Sequence, residues 1–154
     1  MYSRHLRLFL PLLLILAGIA HALSPPKPSV SEYLRSTGAG FAMSREDGVQ
    51  YAMLFAIEKP LGESIYATVL FENPEKGGAP LQKVVTLSAD AKELSVKSDR
   101  LSVLHNNRKY LVEVRLYSDE GRARLTSTHR QEVLFSMPRK YLGQLEQEYG
   151  VRFD

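Results

Sequence analysis

Histidine is the side chain best suited to moving protons near neutral pH, and beyond residue 22 this chain has two, His105 and His129. A metal centre needs three or four converging His, Cys or carboxylate ligands. With no cysteine in the chain and two well-separated histidines, neither a metal nor another cofactor is expected. His105 falls in the polar turn His105-Asn106-Asn107-Arg108, where a solvated loop residue is the simplest reading. His129 lies in RLTSTHRQEVLFSM. If Leu125, Val133 and Phe135 face a core, strand parity turns Ser127, His129 and Gln131 inward with them. A Ser-His-Gln cluster in a pocket, with Tyr110 alongside, is the one arrangement in the chain that could support hydrolase-type chemistry, with His129 as the base. A β-bulge near Thr126–Thr128, or a strand running past its sheet, would expose these groups instead. No acidic neighbour completes a triad, and no Gly-x-Ser-x-Gly elbow occurs. Gly38-Ala39-Gly40 lacks the third glycine and the preceding strand of a phosphate loop. The carboxylates include no pair that spacing would hold roughly 5–10 Å apart for glycoside hydrolysis. Catalysis is not expected.

The elements that would position these residues are strands. In VQYAMLFAIE the apolar residues Val49, Tyr51, Met53, Phe55 and Ile57 alternate with Gln50, Ala52, Ala56 and Glu58, the period of a strand with one buried face. Lys59-Pro60-Leu61-Gly62 is a turn. SIYATVLFE repeats the alternation through Ile65, Ala67, Val69 and Phe71, and LQKVVTLSA does so through Leu81, Lys83, Val85 and Leu87. Weaker strands cover Leu94–Val96 and Leu101–Leu104. KYLVEVRLYS is the clearest: Tyr110, Val112, Val114 and Leu116 face one way, Glu113, Arg115 and Tyr117 the other. About seven short strands at regular spacing predict an all-β antiparallel sandwich over residues 41–137. The same alternation would also permit a small up-and-down barrel carrying an apolar ligand. After Pro138, residues 138–154 place Tyr141, Leu142, Leu145 and Tyr149 at near-helical spacing, which predicts a short C-terminal amphipathic helix.

Tyr110-Leu111-Val112-Glu113-Val114, followed by a turn at Gly121, resembles the F strand and F–G turn of fibronectin type III and other immunoglobulin-like sandwiches. Tyr110 then stands where those folds place a corner tyrosine, and Val112 where antibody domains carry a cysteine. The resemblance implies an immunoglobulin-like sandwich.

The N-terminus supplies the compartment. Arg4, His5 and Arg7 precede an apolar run of 13 residues, Leu8 to Ala20. A spanning helix takes about 20, whereas a secretory h-region takes about 7–15. Ala20-His21-Ala22 suits a signal peptidase, so residues 1–22 read as a signal peptide cleaved near Ala22, leaving no stable membrane anchor. Residues 23–40, rich in Pro, Ser and Gly, read as a linker. No cysteine and no Asn-x-Ser/Thr occur, which suits a periplasmic or secreted protein of a bacterium. Cleavage also removes Arg4 and Arg7, leaving 18 Lys and Arg against 17 Asp and Glu. A chain so nearly neutral is not expected to bind nucleic acid.

Function is therefore expected in a surface. Pairing Tyr117 with Arg124 across the last hairpin sets Arg115 opposite Thr126 and Glu113 opposite Thr128, and avoids facing Arg115 against Arg124. In that register Arg115, Tyr117, Arg124 and Arg130, with Arg122 at the turn, form a basic and aromatic face of the residue types that dominate binding hot spots. Tyr141, Leu145 and Tyr149 of the helix offer a second surface. The expectation is a non-catalytic module docking another exported or envelope protein. Its partner's identity and its oligomeric state are not legible.

Overall fold

The alternation read from the sequence becomes two facing sheets. The computed structural model describes residues 29–153, so the signal-peptide expectation lies outside the described residues. The strands are β1 (Leu34–Ser44), β2 (Gly48–Ile57), β3 (Tyr66–Phe71), β4 (Leu81–Thr86), β5 (Glu93–Lys97), β6 (Val103–Leu104), β7 (Arg108–Tyr117) and β8 (Leu125–Phe135). Helix α1 (Arg139–Tyr149) and strand β9 (Arg152–Phe153) follow. One sheet has the order β1-β2-β5, the other β4-β3-β7-β8, and β6 pairs with β9 in a parallel two-residue ladder. The two main sheets are antiparallel. They form an all-β sandwich and do not close into a barrel, the geometry that apolar-ligand carriage needed.

Burial follows the predicted parity. Val49, Tyr51, Met53 and Phe55 of β2 lie against Ala67, Val69 and Phe71 of β3 and Val112, Val114 and Leu116 of β7 in one core. Tyr51 and Phe71 stack across it with ring centroids 5.2 Å apart. The tight β1–β2 turn needs Gly48: its φ is +73°, and a Cβ there would sit 2.5 Å from the Arg100 side chain.

Two boundaries differ from expectation. Residues 34–40, read as linker, form the first half of β1, because Gly38 and Gly40 pair with Leu54 and Ala52 of β2. Strong partners overrode weak strand propensity. The tail is also part of the domain. Although α1 buries no residue completely, Gly150 ends it in a left-handed conformation. The chain then drives Val151 into the core at 1% exposure and stacks Phe153 on Phe135 at 5.4 Å.

The register of the last hairpin is the main correction. Arg115 faces Thr128, Glu113 faces Arg130, and Leu111 faces Glu132. Pairing stops early because the Asp119 carboxylate accepts hydrogen bonds from the N–H groups of Ala123 (3.0 Å) and Arg124 (2.7 Å), locking them into the loop. Thr126 is left as the extra residue of a bulge between Ser127, opposite Leu116, and Leu125, opposite Tyr117. The bulge reverses parity, and Leu125, expected in the core, is 55% exposed.

Candidate functional site

The outer face of the four-stranded sheet is built from cross-strand rows. Val84, Thr68, Arg115 and Thr128 form one row; Gln82, Leu70, Glu113 and Arg130 form the next. Glu113 is 7% exposed, and its carboxylate receives Arg115 on one oxygen and Arg130 on the other. Burial pushes the Glu113 carboxyl upward, but the hydrogen bonds from Arg130 and Arg115 outweigh it and hold the group below the usual carboxylate range. The two guanidiniums keep 40% and 31% of their side-chain surface. One carboxylate between two cations leaves a net positive centre. Elsewhere on this sheet Val84, Leu125 and Leu134 are 51%, 55% and 56% exposed, Val84 on the β4 edge and the two leucines at opposite ends of β8.

The predicted basic and aromatic surface is therefore only partly assembled. Arg115 and Arg130 meet through Glu113. Tyr117 is 9% exposed, so it supports the face without presenting a ring. Arg124 keeps 71% of its side-chain surface and lies 3.9 Å from Asp119. Arg122 sits in the loop with φ +56° and donates its N–H to the Asp119 carbonyl at 3.0 Å. Sequence reasoning missed the exposed apolar residues of this sheet. Val84 and Leu134 could have been found, since placing Val85, Val133 and Phe135 inward leaves them outward. Leu125 could not, because the bulge decides it.

On α1, Tyr141 is 44% exposed and lies under the Lys140 ammonium at 4.8 Å. Leu145 is half-buried, and Tyr149 packs partly against the core. The helix is held at its C-terminal end, where the Tyr149 carbonyl accepts from the Arg100 guanidinium at 2.8 Å. It is not free to offer all three side chains to a groove.

Ser127, His129 and Gln131 do face inward, and His129 is 5% exposed. Each has a partner: Ser127 Oγ lies 2.7 Å from Ser31 Oγ, and His129 Nε2 lies 3.0 Å from Gln131 Oε1. Tyr110 is elsewhere. It pairs with Val133, whereas His129 pairs with Val114, four positions along β7 or about 13 Å at strand rise. The Tyr110 hydroxyl accepts from the His105 N–H at 2.7 Å, a bond back to the backbone five residues upstream. His105 in turn places Nε2 3.1 Å from the Pro74 carbonyl, so it is not a merely solvated turn residue.

A cleft of about 570 Å³ opens between loop 72–80, His105 and Arg108. Its polar groups serve the fold: Glu72 binds Arg108 at 2.7 Å and the Leu111 N–H at 2.9 Å, and Glu75 accepts from Ser102. Among the described residues no group of three or more His, Cys, Asp or Glu gathers to hold a metal. Among them, too, no helix is long and apolar enough to cross a membrane.

No known protein family matches the chain, and no curated protein matches it in sequence. One solved structure that resembles it is the PmoD soluble domain from Methylocystis sp. ATCC 49242 (Rockwell). The identity is 16% and the TM-score 0.37, over 58% of this chain and 74% of that one. A likeness of that size carries no argument about function.

Proposed function

We propose that this chain is an exported, non-catalytic interaction domain of immunoglobulin-like type. It docks another exported or envelope protein on the outer face of its four-stranded sheet. The observation that carries the reading is the charged centre of that face, where Arg115 and Arg130 meet through Glu113 and keep 40% and 31% of their side-chain surface, with Val84, Leu125 and Leu134 exposed elsewhere on the same sheet. Two partly exposed arginines held over one satisfied carboxylate suit a protein partner that presents an acidic group. Arg supplies the anchoring. The three-plus-four strand arrangement and the Tyr110 back-bond support the immunoglobulin-like assignment. Export rests on the leader-like residues 1–22.

The test is crosslinking of the tagged protein in its own host, followed by mass spectrometry. It is run for the native chain, for Leu125→Lys with Leu134→Lys, and for Tyr141→Lys. The expected result is a partner captured by the native chain and by Tyr141→Lys, with capture reduced about tenfold or more by the paired sheet variant, equivalent to about 1.4 kcal/mol. Undiminished capture by the sheet variant, selective loss in Tyr141→Lys, or no specific partner at all would overturn the reading.

A further inference from the structure

Residues 29–31 run along the free edge of β8, the last strand of its sheet. The Arg130 N–H donates to the Ser29 carbonyl at 2.7 Å, and the Ser29 hydroxyl donates to the Thr128 carbonyl at 3.2 Å. Two residues on, Ser31 is 6% exposed, with its Oγ on Ser127 and its N–H directed at His129 Nδ1 across a long 3.5 Å. Residues 29–31 are thus tied to β8 by a few hydrogen bonds, their nearest buried titratable group being an imidazole, whereas Tyr33 packs against the core and its carbonyl accepts the Glu58 N–H at 2.9 Å.

The protonation state of that imidazole is specified from the Ser31 side. Ser31 N–H is a donor, so Nδ1 must offer its lone pair. With Ser31 N–H donating to Nδ1, the neutral ring carries its hydrogen on Nε2, 3.0 Å from Gln131 Oε1, which can accept it. A second proton on Nδ1 would set N–H against N–H in a buried place.

The surroundings do not compensate such a charge. By hydrogen bond and ring contact the imidazole meets Ser31, Gln131 and the edge-on ring of Phe55 at 5.4 Å, none of them charged. Its cross-strand neighbour on β7 is Val114. Among charged neighbours, Arg130 turns to the opposite face and onto Glu113, and the exposed Glu32 pairs with Lys59 at 2.7 Å. An imidazolium here is relieved by local opening, and the weakly held element is the N-terminal segment.

We infer that residues 29–31 are an acid-released latch: neutral His129 seats Ser31 against β8, and protonation expels the segment, baring the backbone groups of Thr128 and Arg130. This stands independently of the sheet-face docking proposed above.

The experiment is amide exchange and ¹⁵N NMR on the protein purified from its host, at about pH 7.5 and about pH 5, the range in which histidine changes charge. In the native chain, the Ser31 and Arg130 amides should shift together with the His129 ring. Arg130 protection, corrected for intrinsic exchange, should fall at least about tenfold at the lower pH. In His129→Gln this pH response should disappear. Ser31→Pro removes the N–H together with the hydroxyl that meets Ser127 and Tyr33 while leaving His129 in place, and serves if His129→Gln fails to fold. It should leave Arg130 unprotected already at pH 7.5. Arg130 protection that is unchanged at pH 5, that still falls in His129→Gln, or that persists in Ser31→Pro would overturn the latch.

Discussion

The two halves of β8 bury the same strand face by different means. In the lower half, Val133 and Phe135 point into the core, with Phe135 edge-on to Phe41 at 5.2 Å and stacked on Phe153 at 5.4 Å. In the upper half, Ser127, His129 and Gln131 occupy the same inward positions, matched by Ser31 and by one another. Apolar burial below is non-directional and scales with area. Polar burial above is favourable only while each partner stays in place, since an unpaired buried polar group costs about 1–3 kcal/mol. The lower half should therefore carry the stability of the sandwich, and the upper half its response to conditions.

The largest effect tests the lower half. Phe135→Ala removes a ring held between Phe41 and Phe153 and should cost about 3–5 kcal/mol. Equilibrium urea unfolding would measure it. Because Phe153 loses its stacking partner, the tail should also loosen, visible as faster amide exchange at Arg152, whose N–H donates to the Ser102 carbonyl at 2.9 Å. A loss below about 1 kcal/mol would mean that the aromatic end collapses around the gap and is not the principal support.

Tyr110→Phe is smaller, and separates ring from hydroxyl. The ring is fully buried and stays. The hydroxyl that receives the His105 N–H at 2.7 Å is lost. About 1–2 kcal/mol should disappear, again by urea unfolding, and equally at pH 7 and pH 5, since no charge is involved. A loss under about 0.5 kcal/mol would mean that this hydrogen bond contributes little to holding β7.

What was legible in the sequence was whatever side-chain periodicity decides. Strands β2, β3 and β7 and helix α1 follow from spacing alone, whereas spacing leaves open the side taken by Ser127, His129 and Gln131, since a bulge near Thr126–Thr128 is expected to turn them out and instead turns out Leu125. The first half of β1 was not, because Gly38 and Gly40 lack side chains to alternate and are strand only by pairing with β2. The hairpin register was not, because a single carboxylate, Asp119, diverts Arg124 into the loop and leaves Thr126 as a bulge. Nor was the partner of Ser127, since Ser31 lies 96 positions away in the chain. The charged centre of the sheet face was half legible: its arginines were named, but the carboxylate that binds two of them together depends on the register.

The smallest effect has the clearest sign. Glu113 sits opposite Arg130 on the solvent side of the upper half of β8, and its folded-state carboxyl lies below the ordinary range of about 4.3. A depressed carboxylate contributes stability that is fully present above the unfolded value and is lost as pH falls through the folded one. Glu113→Gln keeps the shape and removes the charge. It should cost on the order of 1 kcal/mol near pH 7, modest because both arginines remain about one-third exposed and can be hydrated. That cost should shrink as pH falls from the unfolded carboxyl's value of about 4.3 toward the lower folded one, while the Phe135→Ala deficit stays constant. Urea unfolding at pH 7 and pH 3.5 compares the two directly. A Glu113→Gln deficit that is the same at both pH values would place the residue's contribution in packing, and would remove electrostatics from what distinguishes the two halves of β8.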